Sequence, residues 1–219
     1  MNVGILYVAW GQRAVDEAGR SAASAKEHGY GSMIVVDEGP DYKIPGVFKA
    51  VERRKVDTSR GLLIKPEMML GASQFDITAF LDTDTSVYGD LMHGFHMAHL
   101  HGIALAHAPF YDMSSLPEFG EEMSWPQYNS GVIFYDEAQA QAVLRRWIAH
   151  CKTHEGEKND QPLLSVAMHG MGFSPYVLPS NWNYRDKWQF LHGRLKIWHC
   201  RSRHPAEIRA KRPRPPRDR

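Results

Sequence analysis

Two aspartates one residue apart carry the strongest chemical signal in the chain. Asp82 and Asp84 directly follow the apolar run from Ile77 to Leu81, which has the composition of a buried strand. In an extended segment, residues two positions apart point to the same side, so both carboxylates can converge at the end of the strand. Such a pair suits a hard divalent cation, which prefers oxygen ligands. The alternative is a capped strand end followed by a turn, where Asp and Thr are common.

The segments around this pair alternate between short apolar strands and helices. The opening strand, helix and second strand predict a parallel βαβ unit with a right-handed crossover. The strands are apolar on both faces, which predicts an α/β fold of one domain, with a mixed, mostly parallel sheet covered by helices on both faces. Strands are expected at Val3 to Ala9, Ser32 to Val36, Ile77 to Leu81, Ile103 to Ala108 and Asn129 to Tyr135, and helices at Ala14 to His28, Ile64 to Leu70, Leu91 to His101, Glu137 to Lys152 and Gln161 to Gly170.

Ligands of such sheets bind beyond the carboxyl ends of the strands. Asp37 ends the second predicted strand, and the Asp82 and Asp84 pair ends a later one. The loop that follows Asp37, residues 38–48, holds two prolines and two glycines. The sequence therefore predicts a ligand site at this edge of the sheet.

The composition is that of a globular protein in a reducing compartment. Hydrophobic residues make up 43% of the 219 residues, which is enough for a sizeable core. No run approaches the ~18 apolar residues of a membrane helix, and the first residues lack the features of a signal peptide. Two cysteines, Cys151 and Cys200, are too few for a disulfide framework. We therefore expect a cytoplasmic protein.

Basic residues are concentrated at the end of the chain. The net charge is only +1, yet the segment from Cys200 to Arg219 holds eight Lys and Arg against two acids. Residues 201–219 are expected to form a basic tail after a domain of residues 1–200, and the Pro- and Arg-rich end of this tail cannot form a core. The tail is either simply solvated or in contact with an anionic surface, such as the inner face of a membrane. No nucleic-acid partner is expected.

Short motifs follow the predicted strands in a definite order along the chain. They are Val3-Gly4-Ile5-Leu6-Tyr7-Val8-Ala9, Lys65, Phe80-Leu81-Asp82-Thr83-Asp84, Tyr128-Asn129-Ser130-Gly131-Val132-Ile133-Phe134, Asn159-Asp160-Gln161-Pro162, Leu178-Pro179-Ser180-Asn181-Trp182-Asn183 and Ile197-Trp198-His199. Together they resemble the nucleotide-diphospho-sugar glycosyltransferases of the GT-A (Rossmann-like) fold, especially the family of glycogenin and the bacterial lipopolysaccharide galactosyltransferases. The resemblance covers nearly the whole body of the chain.

The resemblance implies three groups of site residues. A divalent metal would be held by Asp82, Asp84 and His199, and the imidazole favours Mn²⁺ over Mg²⁺. Asp160 and Gln161 would be catalytic. The family often places Gly and Lys after the metal-binding His, where this chain has Cys200 and Arg201, so Arg201 or Arg203 would replace the lysine that contacts the diphosphate. The donor contacts implied are Tyr7, Ala9, Asp37, Lys65, Asp82, Thr83, Asn129 and Arg201.

The implied reaction is transfer of a sugar from a nucleotide-diphosphate donor, expected to be a UDP-sugar, to an acceptor hydroxyl. The metal would neutralise the charge that develops on the leaving diphosphate. In a retaining enzyme, Gln161 would stand at the β-face of the sugar and Asp160 would orient it; in an inverting enzyme, Asp160 would be the base for the acceptor. A glycan, a lipid-linked sugar or a small molecule could serve as acceptor.

Two other functions compete with this one. A sugar-nucleotide nucleotidyltransferase also uses paired acids and a metal, but it normally has a Gly-rich basic loop after the first strand, where this chain has only residues 9–13, Ala-Trp-Gly-Gln-Arg. A catalytically silent nucleotide-sugar-binding protein could keep the same residues.

Several of these residues also have simpler interpretations. Asp160 could cap a helix, and Lys65 could be a solvated lysine. The histidines and tryptophans most simply pack or lie at the surface, including His93, His96, His99, His101, Trp125, Trp182 and Trp188.

Overall fold

A seven-stranded sheet forms the centre of the molecule. The computed structural model describes residues 1–39, 41–108, 126–154, 156–185 and 193–200. Short 3₁₀ helices span Thr58–Ile64 and Ser180–Trp182. The described ranges contain the strands β1 (Val3–Ala9), β2 (Ser32–Asp37), β3 (Ala50–Arg54), β4 (Ile77–Leu81), β5 (Thr85–Val87), β6 (Ile103–His107), β7 (Tyr128–Asp136), β8 (Tyr176–Leu178) and β9 (Ile197–His199), and the α-helices α1 (Gln12–Lys26), α2 (Lys65–Met69), α3 (Met92–His101), α4 (Gln141–Thr153) and α5 (Asp160–Gly170).

The order of strands across the sheet is β3-β2-β1-β4-β7-β6-β8. β7 runs antiparallel to both of its neighbours, β4 and β6, whereas the other neighbouring pairs in this sheet are parallel. The strands β5 and β9 form a separate antiparallel ribbon. The predicted mixed, mostly parallel sheet in a single α/β domain is therefore confirmed.

Helices cover both faces of the sheet. Alternate residues of β1 enter different cores, because successive side chains of a strand point to opposite faces. Ile5 packs on the side of α1 and α3, whereas Leu6 packs on the side of α2, α4 and α5. Burial on both faces explains why the central strands read as continuous apolar runs in the sequence.

Several elements differ from the sequence-based expectation, which did not include the strands β3, β5 and β8. β3 was missed because its sequence Ala-Val-Glu-Arg-Arg is mostly charged, yet it pairs in parallel with β2 at the edge of the sheet. The helix expected from Glu137 begins only at Gln141. The carboxylate of Asp136 accepts hydrogen bonds from the backbone N–H groups of Ala138 and Gln139, both at 3.1 Å, and so holds the intervening residues in a turn.

No helix in the described ranges combines the length and the apolar character that crossing a lipid bilayer requires.

Candidate active site

Asp82 and Asp84, two of the metal-ligand candidates, lie where β4 and β7 meet. β7 is antiparallel to β4, so the beginning of β7 reaches the same edge of the sheet as the end of β4, and Val132 is the register partner of Leu81. The backbone N–H of Asp82 donates to the carbonyl of Gly131 at 2.8 Å. This pairing brings Asn129, Ser130 and Gly131 next to the aspartate pair.

The β5–β9 ribbon brings in the third candidate. His199 is the register partner of Thr85, the residue that follows Asp84. The imidazole Nε2 of His199 lies 3.5 Å from a carboxylate oxygen of Asp82 and 3.3 Å from one of Asp84. One ligand atom from each of Asp82, Asp84 and His199 lies within 4.8 Å of the other two. Within the described residues, these three side chains form the group that could hold a metal ion.

A buried amide fixes the orientation of His199. The side-chain oxygen of Asn183 lies 2.8 Å from Nδ1 of His199, and both residues are buried. With the amide oxygen as the acceptor for Nδ1, Nε2 on the side of the two carboxylates would be the ring nitrogen that binds a cation. Metal-binding histidines commonly use such a partner for the second ring nitrogen. The donor set of two carboxylates and one oriented imidazole therefore fits a divalent cation.

Gly131 leaves the space that this arrangement needs. A Cβ atom at position 131 would lie 2.2 Å from Cε1 of His199 and 2.6 Å from a carboxylate oxygen of Asp82. Distances this short are not tolerated between non-bonded atoms, so any side chain here would displace a ligand candidate. The requirement for Gly at this position follows from close approach rather than from backbone conformation.

Lys65 is buried between two carboxylates. Its ammonium lies 3.1 Å from Asp82 and 3.0 Å from Asp160, and its side chain is only 4% exposed. Burial lowers the pKa of Lys65, but the charges of Asp160 and Asp82 outweigh this effect and raise it above its usual value. Burial, reinforced by the Asp82 carboxylate, raises the pKa of Asp160, while Lys65 opposes that rise. The interpretation of Lys65 as a solvated lysine is therefore wrong.

Asp160 and Gln161 begin α5 beside this ion pair. The helix cap is Asn159, whose side chain accepts from the backbone N–H of Gln161 at 3.1 Å, so the expectation that Asp160 caps the helix is wrong. The backbone carbonyl of Asp160 accepts from the indole N–H of Trp147 at 2.9 Å. These contacts leave the Asp160 side chain directed at Lys65, with Gln161 beside it at the site.

These groups line one cavity of about 720 Å³. Its size suits a ligand with several polar groups, because small-molecule sites commonly enclose a few hundred to about 1,000 Å³. Of the residues proposed from the sequence, it is lined by Ala9, Lys65, Asp82, Thr83, Asp84, Asn129, Asp160, Gln161 and His199.

Two expected donor residues do not line the cavity, and one cannot be placed. The side chain of Tyr7 is fully buried in the core, where its hydroxyl contacts that of Ser21 at 2.9 Å. Asp37 does lie at the end of β2, but its carboxylate accepts a hydrogen bond from the hydroxyl of Tyr42 at 2.7 Å. Arg201 and the basic tail lie outside the described residues.

Sequence analysis missed the two additional basic residues of the cavity, Lys158 and Arg185. Lys158 lies two residues before Asp160, and Arg185 lies two residues after Asn183. This closeness to a motif was the only feature of the sequence that could have indicated them. The interpretation of Trp182 as a packing residue is confirmed, since it is buried with its ring centroid 5.7 Å from that of Phe134. Trp125 and Trp188 are outside the described ranges.

The histidines of α3 have other partners within the fold. His93 stacks near the ring of Trp182, with the ring centroids 5.8 Å apart. His99 lies 3.4 Å from a carboxylate oxygen of Asp136. Both contacts are away from the metal-ligand candidates and agree with a packing or surface role for these side chains.

Comparison with known proteins identifies the fold. No protein-family model matches the chain, and no curated protein sequence does. Among solved structures, the chain is similar to an active-site mutant of LgtC, a GT-A lipopolysaccharide galactosyltransferase. The match has a TM-score of 0.62 and covers 90% of this chain and 86% of that chain, at 11% sequence identity. Likeness at this identity shows the fold alone, so the molecule has a glycosyltransferase-like GT-A fold.

Proposed function

We propose that this protein is a metal-dependent glycosyltransferase that moves a sugar from a nucleotide-diphosphate donor, a UDP-sugar, to an acceptor hydroxyl. The observation that carries the proposal is the convergence of Asp82, Asp84 and His199 within 4.8 Å in a cavity that also holds Asp160 and Gln161. The GT-A fold supports it, because enzymes that act on nucleotide-sugars use this fold.

Asp82, Asp84 and His199 would hold the cation, and Mn²⁺ matches their mixed oxygen and nitrogen set better than Mg²⁺ does. When bound, the cation would act as a Lewis acid that stabilises charge on the leaving diphosphate. Lys158 and Arg185 line the same cavity and bring further positive charge to the donor phosphates.

The donor would lie across the ends of β1 and β4 and the beginning of β7. Ala9 and Thr83 offer backbone and hydroxyl contacts to the nucleotide. The side-chain oxygen of Asn129 already accepts from the backbone N–H of Gly131 at 2.9 Å, which leaves its amide N–H groups to donate to sugar hydroxyls.

Asp160 and Gln161 would act at the reacting carbon. In the transfer, the bond between C1 of the sugar and the diphosphate oxygen breaks, a bond from the acceptor oxygen to C1 forms, and the proton of the acceptor hydroxyl passes to the released diphosphate or, in an inverting enzyme, to Asp160. One carboxylate oxygen of Asp160 is 3.0 Å from Lys65, and this ion pair would hold the Asp160 charge in place beside the sugar. Gln161 would then lie beside C1.

The nucleotidyltransferase alternative finds less support at the first strand. Only Trp10 and Gly11 separate β1 from α1. A connection of two residues is too short for the glycine-rich phosphate loop that such enzymes place there. A silent nucleotide-sugar-binding protein remains the second candidate, and the assay below separates it from an enzyme.

The test is donor turnover by a panel of nucleotide-sugars with Mn²⁺, Mg²⁺ or EDTA, combined with calorimetry of UDP binding. We expect Mn²⁺-dependent release of UDP from one UDP-sugar, and loss of Mn²⁺-dependent UDP binding in Asp84→Ala with the melting temperature retained.

Asp160→Asn should keep UDP affinity and lose about 10²-fold or more in turnover. Donor binding without turnover for every sugar and acceptor tested would support the silent binder, and unchanged Mn²⁺·UDP affinity in Asp84→Ala would overturn the metal assignment.

A further inference from the structure

A second basic groove lies outside the active-site cavity. It has a volume of about 810 Å³ and is formed by the end of β3, the end of α2 and the outer face of α4. Its basic side chains are Arg53, Arg54, Lys55, Arg145 and Lys152, and the acid that lines it is Glu67. The proposed transfer reaction uses none of these residues.

The charge of Glu67 is already shared within the fold. Its carboxylate lies 3.2 Å from the guanidinium of Arg60 and 2.9 Å from the ammonium of Lys152. Lys55 and Arg145 are exposed, and within the described part of the chain neither has a carboxylate within ion-pair distance. The groove therefore carries positive charge that the described protein does not neutralise.

Arg54 makes one wall of the groove rigid. Its guanidinium donates to the backbone carbonyl oxygens of Glu67 at 2.9 Å and Leu70 at 2.8 Å, and it pairs with the carboxylate of Glu52. These bonds tie the end of β3 to the end of α2, so the backbone that carries Lys55 is anchored before any ligand arrives.

Apolar residues line the groove together with the basic ones. They are Val56, Leu70 and Ile148. Arg145, Ile148 and Lys152 fall on one face of α4, since residues three, four and seven apart share a helix face. A lining of basic and apolar side chains suits a ligand that combines a negative group with an apolar body.

The groove opens at the same edge of the sheet as the active-site cavity. Arg54 is the register partner of Asp37, the last residue of β2, and therefore lies at the carboxyl ends of the strands. α2 separates the two openings: its first residue, Lys65, lines the cavity, and Glu67 lines the groove.

We propose that this groove is a second anion site, which binds a phosphoryl group whose attached apolar part lies on Val56, Leu70 and Ile148. Lys55 and Arg145 are the groups that contact the phosphoryl oxygens, through an ammonium and a planar guanidinium fork. The ligand is either a phospholipid headgroup at a membrane surface or a soluble phosphate. The inference does not rest on the proposed transfer activity, because it needs neither metal nor donor.

The test uses the full chain in EDTA, so that no metal can bind in the active-site cavity. Binding is measured with inorganic pyrophosphate by calorimetry, and with equimolar phosphatidylglycerol and phosphatidylcholine vesicles by sedimentation. The variant is Lys55→Gln with Arg145→Gln. Its matched control is Arg20→Gln with Lys26→Gln, which removes the same charge from exposed positions of α1.

We expect the groove variant to bind at least about 10-fold more weakly than the wild type, and the α1 control to bind like the wild type. Pyrophosphate binding that the groove variant loses identifies a soluble phosphate as the source, and vesicle binding alone that this variant loses identifies a headgroup. Equal weakening of both variants would mean nonspecific charge attraction and would overturn the site. Binding of pyrophosphate or of vesicles that the groove variant retains would assign the contact to other basic residues and would also overturn the site, as would no binding to either. Unchanged melting temperatures exclude unfolding as the cause, and Arg145→Glu alone provides an independent second variant.

Discussion

Two small residues decide whether the carboxylates and the imidazole can meet. Gly131 provides space at the metal-ligand candidates, and Asn183 provides the acceptor that orients His199. Neither is a ligand candidate, so their replacement tests the geometry of the site without removing a ligand atom.

Gly131→Ala should weaken metal binding while the fold persists. The new Cβ would meet Cε1 of His199 at 2.2 Å, so the imidazole has to move away from the carboxylates. We expect Mn²⁺ affinity to fall by about 10-fold or more and stability by about 1–3 kcal/mol, the usual cost of overpacking. Titration of Mn²⁺ followed by electron paramagnetic resonance measures the first, and urea unfolding the second. Gly46→Ala is the control, since its Cβ would have no atom within 4 Å; equal affinities of the two variants would contradict the steric argument.

Asn183→Ala should weaken Mn²⁺ binding by about 10–100-fold, because His199 loses the partner that orients it. Asn183→Asp keeps an acceptor at the same place and should recover most of the affinity. If Asn183 had a purely structural role, Asn183→Asp should bind Mn²⁺ more weakly than Asn183→Ala, since Asp puts a charge into a buried position and Ala does not. Isothermal calorimetry of Mn²⁺ binding to both variants distinguishes the two outcomes.

At the scale of elements, ion pairs and turns hold the site-bearing segments together. Lys65 on α2 links the end of β4, through Asp82, to the start of α5, through Asp160. The turn that precedes α4 packs the acidic side chain of Glu137 into a partly buried position.

Lys65→Met should destabilise the fold strongly in the absence of metal. It leaves the carboxylate of Asp160, which is 1% exposed, without its cation, and losing one partner of a buried pair costs about 3–5 kcal/mol. Lys152→Met is the matched control, because that lysine pairs with Glu67 at 2.9 Å at an exposed position, where a pair contributes about 1 kcal/mol or less. Urea unfolding in EDTA measures both. Similar small losses would show that the buried pair is not structural, and adding Asp160→Asn to Lys65→Met should recover part of the loss.

Glu137 should make stability depend on pH. Burial, with a smaller contribution from Asp136, raises its pKa from 4.5 to about 7 against the opposing effects of the Gly71 backbone, Gln141 and Arg54. Between these two values the folded state holds a proton that the unfolded state has released, so stability falls as pH rises from 4.5 to about 7. In Glu137→Gln this part of the dependence should disappear. Parallel curves of unfolding free energy against pH for the two proteins would contradict the assignment.

The sequence was most informative about residues whose position depends on a single helix or strand. Asp82 and Asp84 could be predicted because they directly follow a buried strand whose carboxyl end marks the ligand-binding edge of the sheet, although Thr83 and Asp84 form a turn and do not continue the strand. The burial of Lys65 could not, since it depends on α2, β4 and α5 meeting. Nor could the roles of Asn183, Lys158 and Arg185, which lie in segments whose path is set by tertiary contacts. Tyr7 was misplaced because an apolar strand shows which residues are buried but not which of them reaches the cavity.

At the scale of the whole molecule, the charge is divided between the body and the tail. The segment from Cys200 to Arg219 has eight basic residues and two acids, whereas the whole chain has a net charge of only +1. The residues before Cys200 therefore carry a small net negative charge. Against this background, the basic groove is a local region of positive charge.

Ending the chain at Ala210 should leave the melting temperature and the transfer to a soluble acceptor unchanged, because the removed segment is Pro- and Arg-rich and has no apolar residues for a core. Its attraction to anionic vesicles should weaken, since each basic residue near such a surface contributes up to about 1 kcal/mol. The attraction of the full chain should also fall as salt rises. Differential scanning calorimetry and vesicle sedimentation measure these effects. A large fall in melting temperature would show that the tail is part of the fold.

The β5–β9 ribbon sets the moment during protein synthesis at which the metal-ligand set can be completed. Translation runs from the N-terminus, and pairing of distant segments is slow to form. His199 is translated after every other residue that lines the described cavity. Asp82 and Asp84 are therefore made well before the imidazole that completes the set. A product terminated before Ile197 would keep all the strands of the main sheet, yet it would lack the third candidate ligand.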